Sequence, residues 1–516
     1  MSWLRAVLAD RARRLVFVFA GLVFAFHLAF AARYGWFRDE LYYVACARRL
    51  DWGYVDHPPT VAVIARLSLA LFGDSLVGLR SFAALAGAAT VVLSAEIART
   101  LGASRYGQML AAFATAIAPY DLVVAQIYTM NAFEPLAWSG VTLLVLRALH
   151  PNRPEGFERE LLWLGPIAAL GVLDKYSAGW HVAGLLIGVA VTRPRELWRW
   201  QLGASALFGG VMLVPHVIWQ LRHGLPTREF AANALAKNEP YGPLGLFEQE
   251  LLLTQPILAL LWILGLGGLL FARSLRPYRA LGVAALAVTA LVFATQAKAY
   301  YLGPAFPALF AAGAAFLESI TERRARAARY VFPAISGAVA LALMPMAVPV
   351  LDVRTFQRYS ASLGGFGEAK SGERFERAAL PQLYADMFGW RELAIAVDNA
   401  ALGLPSGERE GALVLARNYG EASAIEHFAR GPLRARVASG DNGWWLWGPP
   451  ATEWPETTLL VGYSREEAER WFDDVQLIAR VDHSLAREDE RHLPIWACRG
   501  PRASLAEAWP SLKHYK

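Results

Sequence analysis

The residues with the clearest potential for chemistry lie in two short segments near the N-terminus. The first reads Arg-Asp-Glu-Leu-Tyr-Tyr over 38–43, and the second reads Asp-Trp-Gly-Tyr-Val-Asp-His-Pro-Pro over 51–59. A carboxylate held in a fixed direction can act as a general base, and a histidine can bind an anion or exchange a proton. The candidates for a catalytic or substrate-binding site in these segments are Asp39, Glu40, Asp56 and His57.

Both segments also have a purely structural interpretation. Acidic residues favour the first turn of a helix, and 41–47 reads as a helix that Asp39 and Glu40 begin. The Asp-His-Pro-Pro sequence fits a turn before a helix that has proline in its first position. Capping does not exclude catalysis, because a helix start fixes the direction of a carboxylate. The Pro-Pro turn could also return Asp56 to the cavity that Asp39 faces.

The composition of the chain indicates a polytopic membrane protein. Of its 516 residues, 55% are hydrophobic and 18% charged, with a mean hydropathy of +0.31. The apolar residues form long blocks separated by short basic connectors, which is typical of repeated membrane spans. The net charge of +6 does not indicate nucleic-acid binding, because the arginines lie between the blocks and form no single basic face. Cys46 and Cys498 provide neither a disulfide framework nor a CxxC metal motif.

About eleven spans are expected from the apolar blocks. They lie near 15–32, 76–98, 106–122, 132–149, 161–174, 177–192, 201–220, 250–272, 279–296, 302–319 and 329–351. The first block follows several arginines and leads into further spans, so we interpret it as an uncleaved span with a cytoplasmic N-terminus. The two short blocks, 161–174 and 177–192, are the weakest members of the set.

The placement of arginines agrees with this topology, because Lys and Arg near span ends are retained in the cytoplasm. The even-numbered spans end at connectors that contain Arg99, Arg105, Arg147, Arg153, Arg159, Arg193, Arg195, Arg199, Arg273, Arg276, Arg279, Arg323, Arg324, Arg326 and Arg329. The opposite face then receives the first loop, 33–75, and the other unusual polar segments. We expect a membrane body over 1–352 and a soluble domain over 353–516 on that outer, periplasmic face.

The C-terminal region has the composition of a small α/β domain. Strands are predicted at Ala412–Ala416, Thr457–Gly462, Val475–Val481 and Pro494–Cys498. Helical patterns alternate with them at Leu383–Ala401, Glu421–Arg430 and Arg465–Asp473. The tryptophan-rich run over 440–447 is interpreted as a turn whose rings could stack on sugars, lie at a membrane interface or pack in a core. The predicted fold class is therefore mainly α: a polytopic helical membrane protein with a C-terminal soluble α/β domain.

Further polar candidates lie on the same predicted face of the membrane. Lys298 could hold a phosphate, with Tyr300 and Tyr301 as hydrogen-bond donors, or it could be a lysine that extends to the interface at a span end. Lys175 follows Asp174 between the two short spans, where it could line a cavity or belong to an interfacial turn.

Four of these segments together resemble membrane glycosyltransferases of family 39. They are the first-loop Asp-Glu, the His-Pro-Pro turn, Tyr-Thr-Met-Asn-Ala-Phe-Glu-Pro over 128–135 and Lys-Ala-Tyr-Tyr-Leu-Gly-Pro-Ala-Phe-Pro over 298–307. The family includes the protein O-mannosyltransferases and is similar to the aminoarabinose transferases that modify lipid A. The resemblance implies a type-C glycosyltransferase, in which a helical membrane body uses a lipid-phosphate-linked sugar at an outward-facing site.

The resemblance also implies a role for individual residues. Asp39 matches the first-loop acidic residue of the family and would deprotonate an acceptor hydroxyl, with inversion at the sugar, while Glu40 would help to place the acceptor. His57 stands where the family more usually has lysine and would make a weaker, pH-dependent phosphate contact. Asn131 stands where the family often has aspartate and can only hydrogen-bond. Glu134 could supply the missing charge or simply begin a span.

We therefore expect a bacterial inner-membrane enzyme that moves a sugar from a polyprenyl phosphate to a hydroxyl on a glycan, lipid or protein, on the periplasmic side. No cofactor is required by these residues, and a divalent metal is possible although its ligands are unknown. Membrane lipids are expected partners. A transporter or flippase of lipid-linked intermediates is the main alternative. In a third interpretation, the C-terminal domain is a sugar-binding module on an inactive membrane body.

Overall fold

The computed structural model describes residues 10–153, 156–321, 327–363 and 379–515. It divides into two compact units that do not follow chain order. The helical unit comprises Met1–Arg33, Leu71–Trp219 and Pro240–Val350, and the mixed unit comprises Tyr34–Ala70, Gln220–Glu239 and Leu351–Lys516. We expected segments 34–70 and 220–239 to belong to the membrane body. By their contacts they belong to the same unit as the C-terminal domain. The basic residues Arg323, Arg324 and Arg326 lie outside the described residues.

The helical unit is built from long apolar helices joined by short turns. Its α-helices are Arg11–Phe30, Leu76–Thr100, Arg105–Ile117, Pro119–Gln126, Glu134–Leu149, Phe157–Glu160, Leu164–Asp174, Ser177–Thr192, Trp200–Arg222 (whose last turn belongs to the mixed unit), Pro243–Thr254, Pro256–Phe271, Arg279–Thr295, Phe306–Thr321 and Ala328–Ala347. Short 3-10 helices lie at Met130–Ala132, Leu161–Trp163, Pro194–Trp198, Arg276–Tyr278 and Ala299–Ala305.

The lengths of these helices make the chain a multi-pass membrane protein. Among the described residues, 7 helices are long and apolar enough to span a bilayer, or up to 9 if each of two bent helix pairs is one span. These nine coincide with nine of the eleven expected spans. The other two expected spans, 161–174 and 177–192, correspond to helices of 11 and 16 residues. Both are shorter than the roughly 20 residues that a crossing normally needs.

Glycines allow the central helices of this unit to approach closely. Gly313 on Phe306–Thr321 faces Leu261 on Pro256–Phe271, where an added Cβ would lie 1.9 Å from the Leu261 carbonyl oxygen. On the opposing helix, an added Cβ at Gly265 would lie 2.2 Å from the Leu309 carbonyl oxygen. Because small residues let helix backbones meet in a bilayer, these two positions explain the tight crossing.

The mixed unit surrounds a five-stranded sheet with short helices. The strands are β1 (Leu413–Ala416), β2 (Val437–Ser439), β3 (Thr458–Val461), β4 (Phe472–Asp482) and β5 (His492–Pro501), in the spatial order β2-β1-β3-β5-β4. β1 is parallel to β2 and β3, whereas β5 is antiparallel to β3 and β4. The helices are Arg38–Arg48, Thr60–Phe72 (whose last two residues belong to the helical unit), Pro226–Ala236, Val353–Ser362, Gln382–Ala385, Trp390–Leu402, Ser406–Gly411, Tyr419–Phe428, Asn442–Trp447, Arg465–Trp471 and Leu505–Ala508, with 3-10 turns at Pro432–Ala435, Glu488–Glu490 and Trp509–Leu512.

The predicted α/β character of the C-terminal region is confirmed. All four predicted strands form, and the three predicted helical regions are helical, although 383–401 is divided into Gln382–Ala385 and Trp390–Leu402. The strand β2 was not predicted, because three residues are too short for a periodic pattern. The tryptophan-rich run is a short helix, Asn442–Trp447, in which Trp444 is buried. Cys46 and Cys498 are both buried and free.

Candidate active-site residues

The helix Arg38–Arg48 positions the two adjacent carboxylates of the first loop. Phe37 is the extended residue before the helix, and Glu40 Oε2 accepts a hydrogen bond from the Phe37 backbone N–H at 2.8 Å. Glu40 is fully buried. The predicted helix start is therefore correct, and the geometry gives Glu40 the capping role that its position in the first turn favours.

Asp39 points in a different direction and remains accessible. Its Oδ1 accepts a hydrogen bond from the Tyr419 hydroxyl at 2.7 Å, and its side chain is 32% exposed. The guanidinium of Arg38 lies 3.9 Å from the same oxygen and 5.1 Å from the centre of the Tyr419 ring. Asp39 is thus a carboxylate oriented by one hydroxyl and one cation, with part of its surface open to a substrate.

A second carboxylate of the mixed unit, Asp56, is also held by a tyrosine. The Tyr42 hydroxyl donates to Asp56 Oδ1 at 2.9 Å and accepts from the Gly443 backbone N–H at 3.1 Å. Burial raises the pKa of Asp56 to about 7, and the nearby charge of Asp39 acts in the same direction. The rings of Tyr42 and Tyr419 lie 4.9 Å apart. The turn therefore brings Asp56 into the same group of side chains as Asp39.

His57 lies in the interior of this turn. It is fully buried and stacks on Tyr54 with ring centres 4.6 Å apart. Its Nδ1–H donates to the Pro58 carbonyl at 2.7 Å, and its Nε2 lies 3.7 Å from Cys46 Sγ. Burial lowers the pKa of His57 to about 4, so the ring is neutral at physiological pH. This geometry favours a role in holding the turn over the predicted contact with a phosphate.

In the helical unit, Lys175 joins several of the remaining predicted residues. Its Nζ donates to Asn131 Oδ1 and to Glu134 Oε2, each at 2.8 Å, and the Ser177 hydroxyl donates to the other oxygen of Glu134. The side chains of Lys175 and Glu134 are 4% and 0% exposed. Glu134 thus compensates a buried ammonium ion, and the pair is satisfied on both sides.

The tyrosines before the span at Phe306–Thr321 belong to the same group. Lys175 Nζ lies 4.9 Å from the ring centre of Tyr300 and 4.2 Å from that of Tyr301, in the range of cation–π contacts. The two rings stack on each other at 4.9 Å. Lys298, the residue before the 3-10 helix Ala299–Ala305, is half-buried. We refer to Asn131, Glu134, Lys175, Ser177, Tyr300 and Tyr301 as the Lys175 cluster.

The described residues do not suit a divalent metal ion at this place. In the described part of the chain, no three His, Cys, Asp or Glu side chains come together as a metal site. Asn131 and Glu134 offer one amide oxygen and one carboxylate, and both groups already bind the Lys175 ammonium. Mg²⁺ and Ca²⁺ need about six or more oxygen ligands, so this pair of side chains alone is insufficient.

Two residues that hold the carboxylates were missed by sequence reasoning. Tyr419 is 380 positions from its partner Asp39, and Gly443 is 401 positions from Tyr42. For Tyr419 the local signal is Asn418, whose side chain accepts from the Glu421 N–H and so starts the helix that carries Tyr419. That signal predicts a helix start but no chemistry.

Comparison with known proteins shows that this chain shares its fold with solved structures. A family model described as dolichyl-phosphate-mannose-protein mannosyltransferase matches residues 56–219. ArnT from Cupriavidus metallidurans, bound to undecaprenyl phosphate, superposes with a TM-score of 0.58 at 16% identity, covering 93% of this chain and 97% of ArnT. The chain has an ArnT-like fold, mostly helical with a small C-terminal sheet domain. The expected resemblance to family 39 is confirmed.

Other comparisons add context to this result. ArnT in the apo state gives a TM-score of 0.54 at 17% identity, with the same coverage of 93% and 97%. The oligosaccharyltransferase AglB from Archaeoglobus fulgidus, in complex with an inhibitory peptide and a dolichol-phosphate, gives 0.47 at 14% identity and covers 81% of this chain and 63% of AglB. No curated protein matches the chain by sequence.

Proposed function

We propose that this protein is a type-C glycosyltransferase that moves a sugar from a polyprenyl-phosphate donor to a hydroxyl acceptor, with Asp39 as the general base. The observation that carries the proposal is the contrast between the two adjacent carboxylates. Glu40 is buried and bound to its own helix start, whereas Asp39 is accessible and oriented by Tyr419. A base must reach the proton that it removes, and of the two only Asp39 meets this condition.

The proposed reaction is a single displacement. Asp39 takes the proton of the acceptor hydroxyl as the acceptor oxygen forms a bond to the anomeric carbon. The bond from that carbon to the phosphate oxygen breaks, and the polyprenyl phosphate leaves with the electron pair. One displacement inverts the anomeric configuration, so the product should have the opposite configuration to the donor.

The lipid-linked nature of the donor is supported by the fold and by the chemistry of a phosphate leaving group. The structure of ArnT that this chain resembles holds undecaprenyl phosphate. Within this chain, Lys175 is already neutralised by Glu134, and His57 is neutral. Lys298 is a cation followed closely by Tyr300 and Tyr301, and we propose that it holds the charge that develops on the phosphate.

We further propose that the reaction takes place on the periplasmic side of a bacterial inner membrane. The distribution of arginines supports this orientation, with the N-terminus in the cytoplasm and the first loop outside. Nucleotide-activated sugars are soluble and cytoplasmic, so an outward-facing enzyme needs a donor that the membrane itself delivers.

A transfer assay tests this function against lipid transport. Purified full-length protein is reconstituted in liposomes with a radiolabelled polyprenyl-phosphate sugar and a membrane extract as the acceptor. We expect label to move from the lipid to an acceptor, with inverted anomeric configuration. If the labelled lipid changes leaflet and no transferred product forms, the protein is a flippase and the proposal is wrong.

A further inference from the structure

The strongest unassigned feature is the way in which the C-terminal domain contacts the first-loop carboxylates within the mixed unit. The helix Tyr419–Phe428 packs against the helix Arg38–Arg48. Its first residue, Tyr419, donates its hydroxyl to Asp39 at 2.7 Å. This contact is made at the proposed base itself.

The position of Tyr419 is fixed from several sides. Its backbone N–H donates to Asp441 Oδ2 at 3.2 Å, and Asn418 caps the helix that it begins. Gly420 lies so close to Arg38 that an added Cβ would be 2.6 Å from Arg38 Cγ. The fold of the C-terminal domain therefore holds the backbone that carries Tyr419, and its ring contacts the Arg38 guanidinium at 5.1 Å and the Tyr42 ring at 4.9 Å.

A second element of the same domain holds the other carboxylate. The Gly443 backbone N–H donates to the Tyr42 hydroxyl, which in turn donates to Asp56. An added Cβ at Gly443 would lie 2.7 Å from the Tyr42 hydroxyl oxygen, so a larger residue there would have to displace this hydroxyl. Two separate segments of the C-terminal domain thus contact the two carboxylates of the first loop. Tyr419 binds Asp39 directly, and Gly443 reaches Asp56 through Tyr42.

We infer that the C-terminal domain is an integral part of the catalytic machinery, in which Tyr419 is a positioning residue that orients Asp39 and Gly443 positions Asp56 through Tyr42. This inference rests on the proposed function. A hydrogen bond to one carboxylate oxygen restricts rotation of the group and leaves the other oxygen to meet the acceptor hydroxyl. Removing it should reduce the fraction of enzyme in which the base is aligned.

The test compares Tyr419→Phe with Tyr463→Phe in the full-length protein. Tyr463 is a buried tyrosine of the same domain whose hydroxyl donates to the Ala416 carbonyl and touches neither carboxylate. We expect Tyr419→Phe to lower kcat by about tenfold to hundredfold, as for loss of a hydrogen bond to a charged group, with KM for the lipid-linked donor unchanged. Tyr463→Phe should keep kcat within about threefold of the parent.

The same substitution in an Asp39→Glu variant distinguishes loss of positioning at Asp39 from a general structural effect. In Asp39→Glu the carboxylate is already displaced by one methylene, so adding Tyr419→Phe should cost less than about threefold in kcat. The inference is overturned if Tyr419→Phe matches Tyr463→Phe, or if its cost is undiminished in the Asp39→Glu background. Full activity of Asp39→Asn would instead contradict the assignment of the base, and so the proposed function.

Discussion

At the scale of single residues, two neighbouring acids, Asp39 and Glu40, have different surroundings. Asp39 and Glu40 were predicted together as catalytic, and their types alone cannot separate them. The helix start does so, because the third helical residue can reach back to the backbone before the helix while the second points outward. Glu40 is thereby bound at the helix start, and Asp39 remains accessible to act as the proposed base.

Replacing Glu40 by glutamine should therefore affect stability more than transfer. The amide oxygen can still accept from the Phe37 N–H, but the buried NH₂ group needs a new partner. We expect the free energy of unfolding to fall by about 0.5–2 kcal/mol and the transfer rate to stay within about threefold of the parent. Thermal unfolding in detergent and the transfer assay measure both effects. A complete loss of transfer without loss of stability would show that Glu40 has a direct catalytic role.

The buried pair of Lys175 and Glu134 makes a second prediction at this scale. Lys175→Met leaves a buried carboxylate without its cation, which should cost about 3–5 kcal/mol of unfolding free energy. The double variant Lys175→Met/Glu134→Gln should recover most of that loss, because no uncompensated charge remains. Lys237→Met, on an exposed lysine, serves as the control. Chemical unfolding measures the free energy of unfolding of all four proteins. A double variant as unstable as Lys175→Met would contradict the pairing.

At the scale of elements, the contact between the helices Arg38–Arg48 and Tyr419–Phe428 determines the geometry at Asp39. Gly420 permits this contact, since a methyl group there would lie 2.6 Å from Arg38 Cγ. The sequence predicts both helices, one from an acidic first turn and the other from an Asn cap. It does not predict their contact, because no local pattern relates segments 380 residues apart.

Gly420→Ala should therefore weaken both stability and transfer. Overpacking at such a contact costs about 1–3 kcal/mol and displaces Arg38 from its place beside Asp39 and over the Tyr419 ring. Gly407→Ala is the matched control, because an added Cβ there meets nothing within 4 Å. Unfolding midpoints and transfer rates of the two variants test the contact. Equal behaviour of Gly420→Ala and Gly407→Ala would show that the helices tolerate a larger separation.

At the scale of the whole molecule, the helical body and the α/β character of the C-terminal region could be predicted because apolar blocks and alternating strands are local patterns. Nine expected spans coincide with spans or bent pairs in the structure. The grouping of 34–70 and 220–239 with the C-terminal domain could not be predicted, since it depends on contacts between distant segments. The Lys175 cluster shows the same limit: all its members except Ser177 were candidates from the sequence, but their mutual pairing was not apparent.

The stability of the mixed unit should depend on pH through a buried pair of acids. The Asn418 amide donates to Glu421 at 3.0 Å and to Glu490 at 2.8 Å. Burial raises the pKa of both carboxyl groups, that of Glu490 from 4.5 to about 7. The folded protein then keeps a proton on Glu490 that the unfolded chain releases. This contribution to stability is fully present below about pH 4.5 and is lost as the pH rises through about 7.

Glu490→Gln removes this titration. We expect the difference in unfolding free energy, variant minus parent, to become more positive as the pH rises from about 4.5 to about 8. Opposing titrations such as that of His57, whose pKa burial lowers to about 4, are shared by both proteins and cancel in the difference. Chemical unfolding at several pH values provides the measurement. A difference that does not change with pH would contradict the assignment.

The most direct test of the central claim is sugar transfer by Asp39→Asn beside Glu40→Gln, under identical conditions with a labelled polyprenyl-phosphate sugar. Asparagine keeps the size of the side chain and can still accept from Tyr419, but it cannot take a proton. We predict that Asp39→Asn folds normally and loses about 10²–10⁴-fold in kcat, the range of general-base catalysis, whereas Glu40→Gln continues to transfer. Undiminished transfer by Asp39→Asn would contradict the account.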